Sequence, residues 1–166
     1  MLAGDFGQGL AMPFGILPLL ATMIGCGIWA EQLGRHRARQ LPLAYLIGLL
    51  IGAIIPVIPS LLPIADVAMP VAVIVLGVLI VLAVPAPAGL SILVVLLVGL
   101  FVGYCFLGGA SYVPLRWLGL VCGTLIAMAS GIGLTAMSGS GFAAGVPRLL
   151  GLGLAALGAW LLFEGM

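Results

Sequence analysis

Apolar residues along this chain fall in six long runs separated by short polar or proline-rich steps. The runs cover about residues 10–30, 41–58, 64–84, 88–110, 113–137 and 142–164. A bilayer crossing takes about 20 consecutive apolar residues. Each run therefore predicts a transmembrane helix, the second being short or continuing through its prolines. The steps between them are the polar EQLGRHRARQ, then PVIPSLLP, VPAPAG, GGASYVP and SGSG. Proline lacks a backbone N–H and tends to end helices. Pro56, Pro59, Pro63, Pro85, Pro87 and Pro114 mark the expected turns.

The first run organises the rest. It is unbroken from Leu10 to Ala30, and the next step carries Arg35, Arg37 and Arg39. Positive charge is retained on the cytoplasmic side of membrane proteins. With that step inside, alternation of six spans puts Arg148 inside as well and leaves Arg116 outside. Both termini are then expected in the periplasm of a bacterial inner membrane, together with Asp5, Asp66 and Glu164. Trp29, Trp117 and Trp160 fall near span ends, where interfacial anchors are expected.

Composition agrees. Of 166 residues, 64% are hydrophobic and 5% charged, and lysine is absent. Soluble domains carry roughly 25% charged residues. So few charges cannot cover a water-facing surface, so the fold class is an all-α, polytopic, six-helix membrane bundle forming a single domain over 1–166. No basic tract suits nucleic acid. The first residues lack the basic region of a secretory signal.

Helices associate in lipid by close backbone approach at small residues. Gly48 and Gly52 lie four apart on the second span, and Gly99 and Gly103 on the fourth. Gly119, Gly123, Ala127 and Gly131 make one stripe on the fifth, and Gly141 and Gly145 open the sixth. This pattern predicts that the fourth and fifth spans are central. The same small residues leave room for bound lipid or unligated pigment, and no other cofactor is expected.

Candidate chemistry is sparse. No ionisable residue sits at mid-span, where transporters of ions keep them. Asp66, near the start of the third span, reads as a cap favoured by the helix dipole. His36 is the one histidine and reads as a solvated loop residue. Buried hydroxyls are expected to bond to the preceding helical turn. Cys26, Cys105 and Cys122 read as small buried residues. The methionines read as flexible core filler, so no metal site is expected; the alternative is a soft Cu(I) site from Met12, Met128 and Cys122. No catalytic cluster is visible, so an enzyme is not expected.

The order of features nevertheless resembles the HupE/UreJ family, membrane proteins associated with hydrogenase and urease operons. MPFGILPLLATMIGCGIWAEQLG resembles a family segment of the form His-Pro-x-x-Gly-x-Asp-His followed by LLAM-x-x-x-G-x-W-A and a Gln-Leu-Gly turn. LFVGYCFLGG resembles His-Gly-Tyr-Ala-His-Gly, and GTLIAMASGIGL resembles ATxLLHxxGxGL. The closing GVPRLLGLGLAALGAWLL resembles the family's last helix. The resemblance implies a helical membrane scaffold and carriage of nickel or cobalt through histidines and an aspartate. Those donors fall here on Met12, Pro18, Leu19, Val102, Phe106 and Met128, whereas Pro13, Gly103 and Tyr104 match. Nickel(II) prefers nitrogen and oxygen donors.

Two functions follow as expectations. The first is a structural or accessory subunit embedded in the bilayer among other membrane proteins. The second is a permease for a small solute or for nickel, cobalt or copper, working through a substituted site.

Overall fold

A computed structural model describes residues 2–34, 36–55, 62–83, 85–107, 114–136 and 145–164. Arg35, Gly141 and the expected turns at 56–61, 108–113 and 137–144 lie outside the described residues. Among the described residues the fold is all-helical. The helices are α1 (Leu2–Gly15), α2 (Leu17–Gln32), α3 (Arg37–Ile54), α4 (Leu62–Leu82), α5 (Ala88–Leu107), α6 (Pro114–Ala136) and α7 (Gly145–Glu164). Helices α3, α5, α6 and α7 are each long and apolar enough to cross a bilayer alone. The pair α1 and α2 qualifies when taken together.

The first apolar run departs from its expected continuity. It breaks at Ile16, whose backbone is extended (φ −120°, ψ 103°), and the helices on either side meet at 80°. Pro18 is the physical cause, because it sits in the first turn of α2 and cannot donate to the carbonyl four residues back. Helix α1 also reaches further toward the N-terminus than residue 10.

The arginine-bearing step is shorter than the sequence suggests. Helix α2 runs on to Gln32, and α3 begins at Arg37, so Arg37 and Arg39 are helical. The turn between them depends on Gly34, whose φ of 103° is a left-handed value that suits glycine. Its N–H donates to the Glu31 carbonyl (3.0 Å), and its own carbonyl accepts from the Arg37 N–H (2.8 Å), ending one helix and starting the next.

Helix α2 is the centre of the bundle and touches each of the other six helices. The expectation that the fourth and fifth spans would be central is corrected: α5 and α6 are not a packed pair. Both carry glycines, but each uses them against a different partner. Trp29 is also not an interfacial anchor, since it lies on α2 at 1% exposure inside the core.

Around α2 stand three stitched pairs, α3 with α5, α4 with α7, and α1 with α6. In the first, a Cβ on Gly48 or Gly52 would strike the carbonyl oxygens of Leu96 and Leu100. Reciprocally, a Cβ on Gly99 or Gly103 would strike those of Tyr45 and Leu49. The register advances together along both helices, so they run parallel. Gly119 and Gly123 likewise face the Phe6 and Leu10 carbonyls, again in parallel. Gly77 meets Gly151 while Gly158 meets Pro70, an antiparallel register. Gly27 and Gly131 bring α2 against α6 at the Met128 and Ile24 carbonyls. Gly145 has open space around it.

These contacts make a sharp prediction. Gly52→Ala or Gly103→Ala should destabilise the protein by about 1–3 kcal/mol, the usual cost of overpacking. Gly153→Ala, with nothing within 4 Å of the added Cβ, should be neutral. Thermal unfolding in mild detergent checks this, with a lowered midpoint expected for the first two only.

Candidate functional site

The break at Ile16 is the natural place to look for function, because discontinuous helices in membranes expose backbone groups that can meet a ligand. Met12 lies one turn before the break and is half-buried against the core. Pro18 and Leu19 follow it, and Leu19 is buried. Val102 of α5 and Met128 of α6 are also fully buried, and all three buried residues belong to one continuous cluster. Phe106 is described only as part of α5. Leu19, Val102 and Met128, three of the positions that carry donors in the resembling pattern, thus face the interior here with hydrocarbon or thioether groups.

The hydroxyls near this interior are accounted for. Thr22 donates to the Leu19 carbonyl at 2.8 Å. That leaves its oxygen to accept from the Tyr45 hydroxyl at 3.3 Å. Thr124 donates to the Leu120 carbonyl at 2.8 Å. Serine and threonine bonded back onto their own helix add little capacity for an ion. Cys26 is buried in the cluster, and Cys105 packs against it half-buried. Among the described residues, no three His, Cys, Asp or Glu side chains stand together.

The soft site is not assembled. Met128 is buried and Met12 half-buried, but Cys122 is exposed. Six residues apart on α6, Cys122 and Met128 point about 120° away from one another around the helix. Copper cannot be bridged by side chains that diverge in this way.

Features that residue patterns alone did not single out gather at one end of the bundle. Arg37 donates to the Ala86 carbonyl (3.1 Å) and to the Ser91 hydroxyl (2.8 Å), tying the start of α3 to the start of α5. Ser91 in turn bonds carbonyls of its own first turn. The Gln32 amide donates to the Ile80 carbonyl at 3.2 Å, closing α2 on α4. Glu31, His36 and Arg39 line one cavity against the end of α6. Two buried polar atoms one turn apart on α2, Trp29 Nε1 and Gln32 Oε1, have no hydrogen-bond partner among the described residues. The basic spacing read as a topology signal hid the fact that Arg37 is a structural clamp.

Comparison with known proteins places this geometry in context. The family described as HupE / UreJ protein matches residues 1–161. Protein HupE from Rhizobium leguminosarum bv. viciae is 29% identical over 161 residues, covering 93% of this chain and 82% of that protein. No solved structure matches the chain.

The divergence of Cys122 and Met128 can be tested by substitution. Met128→Ala should destabilise by about 2–5 kcal/mol, as for other buried large-to-small changes. Cys122→Ala should stay within about 0.5 kcal/mol. Equal losses in thermal unfolding would mean that the two side chains share an environment.

Proposed function

The chain belongs to the HupE/UreJ family, and from that premise we propose that it is an accessory integral membrane protein that keeps the family scaffold without a nitrogen and oxygen donor set for nickel. It works as a packed subunit of a larger membrane complex rather than as an enzyme. The observation that carries this reading is the identity of the buried side chains at Leu19, Val102 and Met128. They occupy the histidine positions of the resembling pattern and offer no lone pair that nickel(II) prefers. The exposed apolar face of α7, with Leu149, Leu152, Trp160 and Phe163, supplies a surface that neighbouring subunits and lipid can cover.

A second reading, a permease with a substituted site, draws on one specific observation. The 80° break at Ile16 resembles the interrupted helices of transporters, where freed backbone groups meet the solute. A neutral solute would then be bound by the backbone groups freed at the break.

One experiment separates the two. Purified protein in proteoliposomes should take up nickel, cobalt or copper no faster than empty vesicles. Purification in mild detergent should bring further membrane proteins with it in a fixed ratio. A monodisperse, lone protein with measurable flux would replace the first reading by the second.

Orientation belongs to the same proposal. Arg37, Arg39 and Arg148 belong to the bundle end formed by the close of α2 and the starts of α3, α5 and α7. By the positive-inside rule that end is cytoplasmic, with α4 as the sixth pass. The parallel and antiparallel registers at the glycines fit this alternation. Alkaline phosphatase fused after Glu164 should be active, and the same enzyme fused at Gly34 inactive. The opposite pattern would invert the topology.

A further inference from the structure

At the arginine-bearing end, a cavity of about 900 Å³ is lined by Glu31, His36, Ala38, Arg39, Ile132 and Ala136. Its charges come from two helices joined by a tight turn: Glu31 near the end of α2 and Arg39 in the first turn of α3. They do not close on one another. Among the described residues neither makes an ion pair within 4 Å. A carboxylate and a guanidinium held apart across one cavity are complementary to a ligand that carries both signs. A simple anion would meet Glu31, and a simple cation would meet Arg39.

Two further observations narrow the ligand. His36 is held by Gln40, whose amide Nε2 lies 3.2 Å from the imidazole Nε2. The amide nitrogen of Gln40 can only donate, so the imidazole Nε2 accepts and Nδ1 carries the ring's N–H donor. Leaving the cavity, α6 presents Leu125, Ala129, Ile132 and Ala136, spaced so that they share one helix face. Leu125, Ala129 and Ala136 are exposed and Ile132 is half-buried. The eleven helical steps from Leu125 to Ala136 span about 16 Å, close to half of the roughly 30 Å hydrocarbon core. The apolar track therefore has the length of one leaflet.

We propose that this cavity seats the headgroup of a zwitterionic aminophospholipid, with its phosphate on Arg39 and His36, its ammonium on Glu31, and one acyl chain along the Leu125–Ala136 face of α6. Charge-assisted hydrogen bonds on both signs supply the selectivity. A quaternary ammonium keeps the charge but cannot donate, so a choline headgroup loses the Glu31 bond. A glycerol headgroup loses the positive charge altogether.

Native mass spectrometry of the delipidated full-length protein tests this with ethanolamine, choline and glycerol phospholipids of identical chains. The ethanolamine lipid should be retained about tenfold more tightly than the other two, the factor expected for one hydrogen bond to a charged group. Glu31→Gln should bring ethanolamine binding down to the level of choline binding in the same variant, so that the preference between the two disappears. Arg39→Gln should weaken all three. Equal retention of ethanolamine and choline lipids by the unaltered protein would overturn the proposal, as would an unchanged ethanolamine preference in Glu31→Gln. Tightest binding of the glycerol lipid would also overturn it, in favour of a purely cationic site. If either variant is not monodisperse, the three-lipid comparison on the unaltered protein decides alone.

Discussion

Inside hydrocarbon, two helices gain little by hiding apolar side chains from a solvent that is itself apolar. What remains is close van der Waals contact between backbones, which small residues permit and glycine most of all. In this bundle nearly every major helix contact is made that way. Carbonyl oxygens of one helix sit where a Cβ of the next would otherwise be, from Gly48 against Leu96 to Gly131 against Ile24. Cα–H groups at such distances also contribute weak hydrogen bonds to those carbonyls. The arrangement explains why a helix as ordinary in composition as α2 can be the hub. It carries Gly25 and Gly27 on the faces turned to α7 and α6, and its larger side chains fill the spaces that the paired helices leave around it.

Most of the architecture was legible from run length and glycine spacing, because both report directly on the bilayer. An apolar run of sufficient length has to become a helix, since no other single-segment structure satisfies its backbone there. The glycine positions on α3 and α5 were readable for the same reason. The partner choice was not. A glycine stripe states that something comes close but not which helix does, so the stripes on α5 and α6 suggested a central pair where the molecule instead uses two separate ones. The break at Ile16 was hidden by hydropathy, which is the same for Pro18 in a kinked run as in a straight one. Trp29 was misplaced because its distance from the arginines suggested an interface, while the 80° bend and the continuation of α2 to Gln32 carry it into the core.

The candidate site was legible in a different way. Motif positions located the interior correctly, in that Leu19, Val102 and Met128 do lie in one buried cluster. Residue type alone could not say which of the soft groups converge. Cys122 and Met128 are close in sequence and both sulfur-bearing, yet helix rotation sends one inward and the other outward. A spacing of six turns two side chains about 120° apart around a helix, too far for a shared site.

The polar end of the bundle obeys the opposite logic from its middle. In the middle, hydroxyls are neutralised on their own helices: Thr22 on Leu19 and Thr124 on Leu120. Such groups ask nothing of a ligand. At the end, polar groups reach between helices: Arg37 to Ala86 and Ser91, Gln32 to Ile80. Bonds of this kind tie α2 to α4 and α3 to α5 beside the cavity that α6 completes. Among the described residues Glu31 and Arg39 line that cavity without an ion pair between them. A charge pair prevented from collapsing keeps its capacity for a third party, and in a membrane the charged molecules present at highest concentration at that depth are the lipid headgroups themselves.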